Sequence, residues 1–219
     1  MYGYGNSTQA KYLMADEYLS GNVREKLVLA RKSAELYPED YTVNVEALER
    51  VQPKDLTASE IAVRLGATWL PTEIVEQFMF EFLGTPRYAQ WNIKVHFSAY
   101  TGEWNIEGKS YDRSNVKAYS TYGTGRINAY KIIEETLNLK DVRIFDYVED
   151  ADGKKKAILN KKETAIAQAK QELIKQGFQD WVWSDPERRE RLCRLYNDKF
   201  NSLRPREYDG SHIVFSGMN

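Results

Sequence analysis

The sequence predicts an α+β fold, with a helical N-terminal part, a small central antiparallel or mixed sheet carrying one helix, and a C-terminal helical arm. Three observations predict it. Apolar residues recur every three or four positions before residue 84 and again after residue 160. Between Trp91 and Glu107 the period changes to two. Turn residues, Thr101-Gly102 and Asp152-Gly153, separate the short β-prone runs. The resulting division is a helical part over 1–88, an α+β part over 89–160, and a helical arm with a connector over 161–219.

In order along the chain, a helix is expected from about Gln9 to Leu19, stopped at Ser20-Gly21, where glycine can turn left-handed. Asn22 then caps a second helix over Val23 to Leu36, whose stripe is Val23, Leu27, Ala30, Ala34 and Tyr37, with Pro38 as its stop. A third helix fits Tyr41 to Val51. Thr57-Ala58-Ser59-Glu60 has capping-box spacing, which predicts a fourth helix ending near Leu65-Gly66. Pro71 suits the first turn of a fifth, running to about Leu83.

Trp91, Ile93, Val95, Phe97 and Ala99 then alternate with polar neighbours as one face of a strand, and Glu103 to Glu107 returns as its partner. A third strand is expected within Val116 to Tyr122, a helix from Arg126 to Asn138, and strands over Val142 to Val148 and Lys155 to Leu159. Asn160, with Glu163 three residues on, caps a long helix. Ser184-Asp185-Pro186-Glu187 opens a final one to about Phe200, and the tail from Arg204 reads as connecting chain.

Composition narrows the function classes. Of 219 residues, 42% are hydrophobic and 29% charged, so a folded core is expected rather than disorder. The 31 Lys and Arg nearly cancel the 32 Asp and Glu, so nucleic-acid contact has to come from a local patch. No apolar run is long enough to span a bilayer, and the chain reads as cytoplasmic, without membrane contact. The single cysteine, Cys193, excludes an intramolecular disulfide and fits a small apolar helix position. Asn6-Ser7-Thr8 matches a glycosylation acceptor, but nothing before it resembles a signal peptide. The 15 Tyr, 5 Trp and 8 Phe favour contact with a partner.

No catalytic constellation stands out, and no cofactor or metal is expected. A phosphate loop is missing, and Gly123-Thr124-Gly125 before a helix reads more simply as a turn. His96 and His212 lack companion ligands at zinc spacing. Asp150-Ala151-Asp152-Gly153 fails as a calcium loop, because Val148 and Leu159 stand where ligands belong. A nuclease would need Asp146, Glu149 or Asp150 on magnesium beside Lys154, Lys155 or Lys156; a charged hairpin tip explains the same residues. The segment from Pro71 to Leu83 has the outline of a recognition helix but carries Glu73, Glu76 and Glu81 without a cation. Arg188, Arg189, Arg191 and Arg194 are interspersed with acids. The better candidates for DNA are Lys109, Arg113, Lys117 and Arg126, interleaved with Tyr111, Tyr119 and Tyr122, which pair backbone charge with stacking faces.

Five stretches also carry a resemblance. They are YLSGNVREKL at 18–27, VQPKDL at 51–56, RLGATW at 64–69, NKKET at 160–164 and RPREYDGSH at 204–212. Together they resemble the region between the adenine-specific methyltransferase domain and the Swi/Snf-like helicase domain of very large proteins of conjugative transposons and phages. The resemblance implies a non-catalytic interdomain module with those flanking domains and DNA as partners. It carries over no catalytic residue, because neither the methyltransferase Asn-Pro-Pro-Tyr motif nor the helicase motifs occur here. A purely architectural coupling module is the alternative.

Overall fold

A computed structural model describes residues 2–4, 11–149 and 155–208. The chain is α+β, and the β structure among these residues consists of separate two-stranded antiparallel ladders rather than one central sheet. Compact packing divides the chain into Met1–Ile61 with Cys193–Asn219 as one unit and Ala62–Leu192 as the other, different boundaries from the linear 88 and 160.

In the first unit, β1 (Tyr2–Tyr4) pairs with β2 (Lys11–Leu13), followed by α1 (Ala15–Tyr18). The helix expected over Gln9 to Leu19 is therefore one turn only where the chain is described, and Lys11 to Leu13 is extended. Asn22 caps α2 (Val23–Leu36) as expected, its Oδ1 accepting from Glu25 N at 3.1 Å. Pro38 ends α2 and also opens α3 (Pro38–Arg50). Tyr18, Val23, Leu27, Ala30 and Leu48 form a small core. Long-range polar clamps close it: Asn197 pairs with both backbone groups of Leu56, at 2.8 and 2.9 Å. Arg24 donates to Asn201 O at 2.8 Å and to Asp55. The tail is not plain connecting chain, because β8 (Leu203–Arg204) pairs with β3 (Gly21–Asn22) and Arg206 meets Asp16 at 2.6 Å. The hydrogen bond and charge of Arg206 hold the Asp16 carboxyl below its ordinary value, against the opposing effect of burial. Residues 209–219 lie outside the described residues, and with them His212.

The fourth expected helix does not form. Only the carboxylate half of the capping box is made: Thr57 N and the Thr57 hydroxyl both donate to Glu60 Oε2 at 2.8 Å, while Glu60 N donates to Thr57 O at 2.9 Å and closes a single turn. Downstream, Ile61, Val63 and Leu65 are buried while Ala62 and Arg64 are exposed. That period of two demands extended chain, so the local start signal loses to burial.

The second unit is built on α4 (Thr72–Leu83), α6 (Ala129–Leu137) and α7 (Lys161–Val182), packed with the hairpin β4 (Lys94–Ser98) and β5 (Glu103–Glu107). Phe78, Met79, Ile106, Ile132, Ile133, Ile174 and Phe178 lie in its core. Val95 faces Ile106 and Phe97 faces Trp104 across the hairpin. Both outer edges of this hairpin are occupied by helix side chains. Glu76 of α4 accepts from Val95 N at 2.9 Å, and Glu134 of α6 accepts from Ile106 N at 2.8 Å. Asn138 binds both backbone groups of Trp104, at 2.9 and 2.8 Å. Carboxylates and an amide thus take the place of neighbouring strands, which is why this sheet stops at two.

The third expected strand is instead a π-helical turn, Lys117–Thr121, capped by Asn115, whose Oδ1 accepts from Ala118 N at 3.2 Å. The strand β4 starts three residues later than Trp91, which follows the short helix α5 (Arg87–Gln90) in a turn; Ala99 also lies beyond the strand. β6 (Phe145–Glu149) and β7 (Lys155–Leu159) form a ribbon around the undescribed tip 150–154, and α8 (Pro186–Phe200) closes the helical arm. No described helix is long and apolar enough to cross a membrane.

Candidate nucleic-acid interface

The residues expected on DNA are not brought together as one surface. Lys109 is turned inward: its ammonium bonds Ile106 O and the buried Glu134 carboxylate, the latter at 2.5 Å. Arg126 pairs with Asp146 at 2.9 Å and donates to Phe145 O at 2.9 Å. Tyr119 is half-buried, accepting from Asn128 at 3.3 Å, and Tyr122 packs its ring 4.3 Å from that of Phe82. The side chains of Arg113 and Lys117 are exposed and have no hydrogen-bond or ion-pair partner among the described residues.

Those two cations stand beside a surface that the sequence pattern concealed. Thr85-Pro86 opens the short helix α5, and Pro86 at its start fixes the local backbone. The helix presents Arg87 and Tyr88, and the turn after it presents Trp91, 81% exposed and without a ring partner among the described residues. Phe80, Arg87, Gln90, Trp91 and Lys94 line an open notch of about 400 Å³ with no carboxylate in its wall. Tyr88 hydroxyl lies 3.5 Å from Ser114 Oγ, next to Arg113. Gly108 joins the Trp91 turn to the loop bearing Tyr111: a Cβ there would come 2.0 Å from Asn92 O and 3.2 Å from the Tyr111 ring. Its φ of 70° is a second reason for glycine.

A buried polar network fixes this loop from below. Tyr111 and Arg113 point to solvent while Asp112 between them is fully buried. Asp112 Oδ2 accepts from Tyr130 hydroxyl and Asn115 Nδ2, each at 2.6 Å, and Tyr130 hydroxyl also meets Thr85 Oγ1 at 2.8 Å. Asp112 Oδ1 is buried without a hydrogen-bond partner among the described residues. Burial, and next the bond to Asp112, push the Tyr130 phenol well above its ordinary value. Asn115 in turn donates to Leu83 O at 3.1 Å and caps the turn carrying Lys117. The exposed side chains thus sit on backbone whose position is set by the core.

Elsewhere, chemistry-bearing residues are occupied. Among the described residues no group of three His, Cys, Asp or Glu is placed to hold a metal ion. Asp146 is bonded by Asn160 at 2.8 Å and by Arg126, and these bonds hold its carboxyl below the ordinary value. Asp150 and Lys154 lie outside the described residues. At Gly123-Thr124-Gly125, the Thr124 hydroxyl accepts from Arg126 N and Ile127 N, both at 3.2 Å, and Asn128 caps Lys131 N, so three amides of this loop and helix start are turned to the chain's own side chains. Arg188 is buried, stacks 3.6 Å from the Trp181 ring centroid and donates to Val182 O and Trp181 O, so it serves the C-terminal end of α7. Burial lowers its pKa.

The fold and this surface define a small α+β module with an anchored, exposed set of aromatic and basic side chains. Residues 64–202, more than half of the chain, match the family described as Domain of unknown function (DUF8437), and the chain belongs to that family. Comparison with curated proteins and with solved structures gives no match.

Proposed function

We propose that this chain is a non-catalytic, cytoplasmic interdomain module of a mobile-element DNA methyltransferase and helicase protein, and that it positions DNA for the flanking domains. The observation that carries the DNA contact is the exposed Trp91 set among Arg87 and Lys94, with the Arg113 and Lys117 side chains nearby and unpaired among the described residues. Cations without protein partners hold phosphate, and exposed rings stack on bases. The assignment to a methyltransferase and helicase protein rests on the five sequence stretches.

The test is binding of the full chain to fluorescein-labelled single-stranded, duplex and forked DNA at low and physiological salt. Binding that weakens steeply with salt supports DNA contact. No binding at low salt favours the second reading, an architectural coupler. One observation supports that reading. The β6–β7 ribbon exposes Phe145, Tyr147, Val148, Ile158 and Leu159 on its two faces, an apolar surface suited to a neighbouring domain.

A further inference from the structure

Resting on the DNA-contact reading, we infer that the ligand of this surface is an unpaired strand, one of whose bases stacks on the face of Trp91. Two features separate a single strand from a duplex. In a duplex each base already has its faces covered by its neighbours, so a lone exposed indole on a turn gains nothing from it. A flexible strand can offer a base face to the indole while its phosphates meet Arg87 and Lys94 beside it. The second feature is the charge on the adjoining side. Phe80 and Gln90 line the Trp91 notch and also a neighbouring open hollow walled by Glu73, Glu76 and Glu81. Glu76 reaches to 3.9 Å from Lys94, so the acidic row begins at the edge of the basic one. A duplex broad enough to cross both would press its second backbone against three carboxylates. One strand can follow Arg87 and Lys94 and reach Lys117 at the rim of the hollow, where its ammonium would lie 3.9 Å from a Cβ on Gly84, without laying a second backbone over the carboxylates.

The experiment measures anisotropy of a labelled twelve-thymidine oligonucleotide and of a twelve-base-pair duplex with the full chain at about 50 mM salt. Intrinsic tryptophan fluorescence is followed in parallel. The expected result is at least tenfold tighter binding of the oligonucleotide, with quenching of tryptophan emission. Trp91→Ala weakens oligonucleotide binding by roughly 5- to 100-fold. Trp91→Phe retains most of the affinity and loses the quench, which keeps the test decisive if the alanine variant folds poorly. Equal affinity for the two ligands, or a quench unchanged in Trp91→Phe, overturns the single-strand inference and leaves DNA contact standing. Failure of both ligands to bind overturns DNA contact as well.

Discussion

Tyr130 joins a buried acid to the loop that carries the candidate interface. Its hydroxyl donates to Asp112 and meets Thr85, so Tyr130→Phe leaves one acceptor of Asp112 short of a donor and Thr85 without its partner. The expected loss is about 1–3 kcal/mol, measured by urea denaturation, because the groups left behind are buried. The same residue sets an alkaline limit. The fold favours the neutral phenol, so above the ordinary value of 10.0 the unfolded chain loses its proton first and stability falls as pH rises. Tyr130→Phe should show less of that alkaline loss. Glu134 sets the acid limit with the opposite sign. Burial pushes its carboxyl up, but bonds from Lys109, Lys131 and Ile106 N outweigh this and hold it below 4.5. Its contribution is therefore present above that value and lost as pH falls. Glu134→Gln should lower stability at neutral pH by about 1–3 kcal/mol and flatten the acid side of the pH profile. At this scale the site was partly legible. Arg113 and Lys117 stand out as basic residues among tyrosines. Nothing local reveals that Lys109 is claimed by Glu134, 25 positions away. Trp91 was concealed because it falls in phase with Ile93 and Val95, and only Thr85-Pro86 signals the helix that lifts it out of the strand.

Among the elements, α7 shows how packing overrides helix propensity. Gly177 lies within it, and glycine to alanine inside a helix ordinarily stabilises by about 1 kcal/mol. Here the added Cβ would come 2.3 Å from the Phe82 ring, which is held by stacking on Phe78 at 5.1 Å and by a tilted contact with Tyr122 at 4.3 Å. Gly177→Ala is therefore expected to destabilise by about 1–3 kcal/mol, with a lowered Tm in thermal unfolding. The elements most readable from sequence have strong local signals: the Asn22 and Asn160 caps start α2 and α7, and Thr101-Gly102 turns β4 into β5. The misread ones have local signals that tertiary burial defeats. Thr57 N bonds the Glu60 carboxylate as a cap would, yet Ile61, Val63 and Leu65 need extended chain to be buried. Val116 to Tyr122 has β-prone residues, yet Asn115 caps a turn there and Val116 stays exposed.

At the scale of the whole molecule, α+β content follows from the change of period, but the grouping of its parts does not. The Asn197 clamp on Leu56 spans 141 positions, and the β3–β8 pairing involves two-residue strands too short to carry a pattern. The net charge of −1 gives no general attraction for nucleic acid, so binding must depend on the few cations around Trp91. The salt dependence of binding to single-stranded DNA, compared between the wild type and Arg87→Gln/Arg113→Gln/Lys117→Gln, tests this most directly. A plot of log affinity against log salt should slope by about −2 to −3 in the wild type and be shallower by about 2 in the triple variant, since each phosphate contact contributes about −0.7. An identical slope in the folded variant would contradict the account.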